Sequence, residues 1–182
     1  MTYHRCYLIA SLCAVPLVAT AQQPYAPSSC PDTIIVDLGS ETINGVPMDT
    51  TITALGKLLG PKRIRRETEL AEGQPQDVYL LDICGHTVTR GWSGFSWTDP
   101  MIRTADGLGV GSQINDFDHR YGPGQPGAAE EGGYFLDYWL PLARQRVFIE
   151  TRDACFTRSD RSLEVDRTCI VTRISQSVAS NF

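Results

Sequence analysis

Two segments of this chain share one grammar, and that repetition constrains its architecture more than any other feature. In residues 107–123, Gly107, Gly109 and Gly111 permit a strand-like entry and Ser112 is a good helix N-cap. Ile114, Phe117 and Tyr121 then fall at offsets 0, 3 and 7, one face of an amphipathic helix that Gly122-Pro123 stops. Residues 48–61 repeat the pattern, with Thr50 at the cap, Ile52, Leu55 and Leu59 at the same offsets, and Gly60-Pro61 at the stop. A second marker follows each helix: Tyr79-Leu80-Leu81-Asp82 in one case, Tyr134-Phe135-Leu136-Asp137 in the other. The spacing from stop to marker is 19 residues in the first copy and 12 in the second, an indel that a surface loop absorbs.

The amino end reads as a secretory signal. His4 and Arg5 precede an apolar run over residues 6–18, and Ala19-Thr20-Ala21 supplies the small-residue cleavage pattern, so residues 1–21 are expected to be removed. The run is shorter than the roughly 20 residues of a spanning helix. Leu12 before Cys13 is too large for a lipoprotein cleavage site, so no membrane anchor is expected. Loss of Arg5, the one charged residue in that segment, takes the formal net charge from −5 to −6. Such acidity argues against nucleic acid as a partner and permits a basic one. The remaining length, about 160 residues, suits one ordinary domain or two small fused ones.

Four cysteines survive that cleavage: Cys30, Cys84, Cys155 and Cys169. In an oxidising compartment an even number reads as two disulfides with three possible pairings. The short loop between Cys155 and Cys169, flanked by strand-like segments, favours that pair and leaves Cys30 with Cys84. Zinc is the competing reading, but the sequence has no Cys-x-x-Cys, and no metal or other cofactor is expected.

Residues 22–31 are a Pro/Ser-rich, flexible lead-in. Strands are expected over residues 33–38, 78–83, 86–90, within 95–103, and over 134–139, 144–151 and 169–174, with turns at Asn44-Gly45 and Cys84-Gly85. The sequence predicts an α+β fold: a helix-strand-strand-strand unit used twice, with the short helices packed on one face of an antiparallel sheet. The first unit spans residues 32–105 and the second 106–182.

The run Gly111-Ser112, four residues, Phe117, three residues, Tyr121-Gly122-Pro123 resembles the signature of small periplasmic domains. These include the SmpA/OmlA outer-membrane assembly lipoproteins and the tandem β-lactamase-inhibitor-protein fold. The resemblance covers about 17 residues closely and the two units in outline. It implies a non-catalytic, protein-binding module at the cell envelope, which in the inhibitor branch grips its partner on a concave sheet surface. The chain departs from the lipoprotein branch in lacking a lipidation cysteine.

Candidate partner anchors are the aromatics Trp92, Phe95 and Trp97 at a glycine-rich corner, and Tyr138 and Trp139 at the end of a strand; each doubles as a candidate core plug. Gly91-Trp92-Ser93-Gly94-Phe95 misses the Gly-x-Ser-x-Gly nucleophile elbow by its last residue. His119, with Asn115 and Asp116 one turn earlier, is a second candidate acid/base group whose plain alternative is a solvated helix face. His86 beside Cys84 matters only if that thiol is free. The basic run of residues 62–66 is offset by Glu67, Glu69 and Glu72, and Glu130-Glu131 reads as solubility. The expectation is therefore a soluble, periplasmic or secreted binding module that occludes another protein, such as a toxin, or serves an envelope component. The alternative is a small exported hydrolase using Ser93 or His119.

Overall fold

The computed structural model describes residues 30–71, 73–91, 94–129, 132–140, 145–160 and 162–177. The expected signal segment, nearly all of the lead-in, Trp92, Ser93, Glu72 and Glu130-Glu131 lie outside the described residues.

The α+β expectation is overturned. Of the described residues 50% are in strands and 16% are helical, with large antiparallel sheets and two α-helices among them. Those helices are α1 (Ile52–Leu59) and α2 (Ile114–Tyr121), eight residues each. The expected helical stripes are real: Leu55 and Leu59 on α1, and Ile114 and Phe117 on α2, are buried. Two other details differ. Thr51, not Thr50, caps α1 by accepting the Ala54 amide at 3.2 Å. At α2 the Asp116 carboxylate accepts the Gln113 amide at 3.1 Å, while the Ser112 hydroxyl accepts the Gly109 amide and closes the preceding turn.

The small sheet comprises β1 (Ile34–Asp37), β2 (Thr42–Ile43), β3 (Val46–Pro47) and β8 (Ile102–Thr104), in the order β3-β2-β1-β8. Asn44-Gly45 turns β2 into β3 with both residues at positive φ, as the sequence predicts. The main sheet holds β4 (Ile64–Ala71), β5 (Gln74–Ile83), β6 (His86–Arg90), β7 (Gly94–Trp97), β9 (Gln125–Ala128), β10 (Tyr134–Leu140), β11 (Gln145–Glu150) and β14 (Arg173–Ser177). Its order is β4-β5-β6-β7-β14-β11-β10-β9, every neighbouring pair antiparallel. Each helix is followed by a four-stranded meander, and the two meanders meet edge to edge at β7 and β14, so the sheet runs unbroken across the expected boundary at residue 105. A separate hairpin, β12 (Phe156–Arg158) and β13 (Leu163–Val165), occupies what reads in sequence as a polar tip.

Strand alternation divides the main sheet into two faces. Leu81, Val88, Trp97, Ile174, Ile149 and Leu136 lie on successive strands, all buried, and share one core with Ile34, Val36, Ile43, Val46 and Ile102 from the small sheet and with Met48 just after β3. At full burial each such aliphatic side chain contributes roughly 1.5–3 kcal/mol. A buried polar ladder also joins the layers: Gln145 donates to Glu41, Gln176 donates to Gln145, and the Gln176 amide also reaches the Leu38 carbonyl at 3.0 Å. Cys30 is bonded to Cys84 and Cys155 to Cys169, two disulfides that fit an exported protein. Among the described residues, no helix is long and apolar enough to cross a membrane.

Candidate functional site

The face of the main sheet turned away from the core can be followed residue by residue. Paired positions run Arg65, Leu80, Thr89, Ser96, Ser175, Phe148, Asp137, Gln125 from β4 to β9, one residue from every strand. Its middle is small and polar, and its flanks are apolar. Thr89, Ser96 and Ser175 therefore floor a trough of about 460 Å3 whose lining includes Val78 and Phe148. Gly94 at its end lies so close to the β14 backbone that a Cβ could not be accommodated without displacing it.

The charges on this face are held in place. Arg173 donates to the Ser96 hydroxyl at 3.0 Å and stands 3.8 Å from Glu150. Arg146 pairs with Asp137 at 3.0 Å. Phe135 and Phe148 meet edge to face, with centroids 5.5 Å apart and ring planes at 88°. Such a surface has fixed aromatics and a shallow hollow, features that suit a macromolecular contact.

The anchors expected from sequence are placed differently from one another. Phe95 and Trp97 stack at 5.9 Å, each 2% exposed, on the core face. Tyr138 is likewise buried, and its hydroxyl donates to Asp118 at 2.8 Å. These three are core plugs. Trp139, 52% exposed, is at the surface. Burial is the first cause, and the bond to Asp118 the second, that pushes the Tyr138 phenol far above its ordinary value. Trp92 and Ser93 lie outside the described residues.

His119 stands exposed on α2, and the neighbouring Asp116 carboxylate is committed to the helix cap. His86 is half-buried, with Nδ1 2.8 Å from the Asp99 carboxylate, at the start of the strand that follows the Cys84-Gly85 turn. Burial pushes Asp99 up, but the hydrogen bonds from His86 and the Met101 amide outweigh it and leave the carboxyl below its usual value. Among the described residues, no group of three or more His, Cys, Asp or Glu is arranged to hold a metal ion.

The row through Thr89, Ser96 and Ser175 was not foreseen from sequence. No family model and no curated protein matches the chain. Among solved structures it is similar to the uncharacterized protein yfeY from Escherichia coli, at 13% identity over 80% of this chain and 99% of that one, with a TM-score of 0.48.

Proposed function

We propose that this chain is an exported protein-binding module, working in the periplasm or outside the cell, that holds a partner protein against the outer face of its main sheet. The observation that carries this reading is the trough of about 460 Å3 floored by Thr89, Ser96 and Ser175, with Val78 and Phe148 as apolar walls and the charged Glu69 and Arg173 beside them. A sheet eight strands wide has a face on the scale of the roughly 800 Å2 per partner of a standard interface. The two disulfides support export, and the resemblance of residues 111–123 to small envelope domains supports binding rather than chemistry. Inhibition or immunity, by occluding a toxin, and service to an envelope component are the two roles that this geometry would serve.

Photo-crosslinking tests the reading. A benzoylphenylalanine placed at Thr89 or Ser175 in the exported protein is expected to yield one discrete adduct with another protein. The same probe at Thr157, exposed on the β12–β13 hairpin, is expected to yield none. Equal labelling at all three positions, or no adduct at any, would remove the sheet face as a binding surface.

A further inference from the structure

At the end of β10 lies a cleft that shares no residue with the trough over Thr89, Ser96 and Ser175. It encloses about 500 Å3, the size of a small-ligand site, and brings together Asp37 of β1, Asp106 after β8, Arg120 and Tyr121 of α2, and Trp139. A second hollow of about 330 Å3 shares Tyr121 and Trp139 and adds Asp137 and Arg146. The two rings are thus common walls. Trp139 is 52% exposed while Tyr138 beside it is 2% exposed, so the indole is available to whatever enters.

The charges around these rings do not balance. Arg120 Nε holds Asp106 at 2.7 Å, and Arg146 holds Asp137 at 3.0 Å. Among the described residues no cation pairs with Asp37. Its Oδ1 accepts the amides of Gly39 at 2.9 Å and Ser40 at 3.2 Å, and the Ser40 side-chain and backbone bonds, ahead of that of Gly39, hold the carboxyl of this exposed residue below its usual value. One carboxylate with amide donors but no paired cation therefore lines a cleft with two aromatic rings. The protein already sets a cation on one of them, with the Arg120 guanidinium 5.7 Å from the Tyr121 centroid.

We propose that this cleft receives a lysine or arginine side chain of the partner protein, its methylene stem against Trp139 and Tyr121 and its charged end toward Asp37. The proposal rests on the binding-module reading and gives the partner a chemistry. An apolar side chain would cover Asp37 and leave a charge without a partner, whereas a basic one supplies the missing cation and an apolar stem. The formal net charge of −5 favours the approach of a basic partner in the same sense.

The test uses the oxidised protein and small probes, so it does not depend on finding the partner. Nα-acetyl-lysine methylamide is titrated while the indole N–H resonances are followed by NMR, Trp139 being assigned from its loss in Trp139→Phe; the norleucine analogue is titrated in parallel. The lysine probe is expected to move the Trp139 resonance and leave that of buried Trp97 in place, and the norleucine probe to move neither. Asp37→Asn, with an otherwise unchanged spectrum, is expected to weaken the lysine probe about tenfold. Equal response to both probes, or undiminished affinity in Asp37→Asn, overturns the proposal. A lysine probe that fails while adducts at Ser175 persist removes the cleft alone; loss of the adducts while the probe binds removes the sheet-face reading alone.

Discussion

The ring of Phe135 on β10 lies across Gly127 on the neighbouring β9, where a Cβ would come within 2.6 Å of the ring carbons Cε2 and Cζ. The aromatic supplies the cover that the glycine lacks, and in that position it meets Phe148 edge to face. Gly127→Ala must lift the ring and break that contact, so it is expected to cost about 1–3 kcal/mol in urea unfolding. In a Phe135→Ala background the same change is expected to cost almost nothing. Additive losses in the double variant would show that the ring is not what requires the glycine.

That pair also shows where the sequence was legible and where it was not. Apolar offsets located Leu55 and Phe117 because a helix repeats its buried face whatever it packs against. Asn44-Gly45 and Cys84-Gly85 were legible because few residue pairs accept two successive positive φ values. β9 is not legible as a strand, since Gln125-Pro126-Gly127-Ala128 offers no apolar alternation and its cover comes from another strand. Nor is β4, an edge strand whose Arg65, Arg66, Glu67 and Glu69 face water and so show only charge in the sequence. Strands of this kind account for the β-rich class. The corner aromatics Phe95 and Trp97 stand two apart, so a strand through them puts both on one face, and the core takes that face. Thr89, Ser96 and Ser175 carry no signal of their own, because only the register between strands brings them together.

Asp118 on α2 collects three donors that lie far apart in the chain. The Tyr138 hydroxyl reaches its Oδ1 at 2.8 Å, the Gly124 amide at 3.0 Å and the Arg167 guanidinium at 3.1 Å. Tyr138→Phe leaves the ring packed and removes one of these bonds, for an expected loss of about 1–2 kcal/mol. The phenol's folded-state pKa is raised, so its contribution is fully present below the unfolded value of about 10 and falls as pH rises beyond it. Wild-type stability from urea unfolding is expected to decline more steeply above about pH 10 than that of Tyr138→Phe. Parallel declines would mean that Tyr138 ionises alike in both states.

Asp99 moves in the opposite sense. Its carboxyl, held below its usual value by His86 and the Met101 amide against the opposing effect of burial, contributes stability above the unfolded value of 3.8. That contribution is lost as pH falls through the lower folded value. Asp99→Asn is expected to cost about 1 kcal/mol at neutral pH and to flatten the acid limb of the stability profile below about pH 4. An unchanged acid limb would place the acid sensitivity elsewhere.

At Cys84 a cross-link and a left-handed turn coincide. Cys84 sits at φ +57° ahead of Gly85 at φ +85° in the two-residue loop between Ile83 and His86, and it is bonded to Cys30, 54 positions away. Closing a loop of that length stabilises the fold by about 4 kcal/mol on the chain-entropy account, against about 3 kcal/mol for Cys155–Cys169. Alanine at position 84, however, keeps a Cβ in a left-handed conformation that asparagine tolerates better. In a Cys30→Ala background, Cys84→Asn is therefore expected to unfold at higher urea than Cys84→Ala, by about 0.5–1 kcal/mol, while both fall well below wild type. Peptide mapping without reduction checks that Cys155–Cys169 remains closed in each. Equal stability of the two double variants would mean that the left-handed turn imposes no residue preference and that the whole loss belongs to the cross-link.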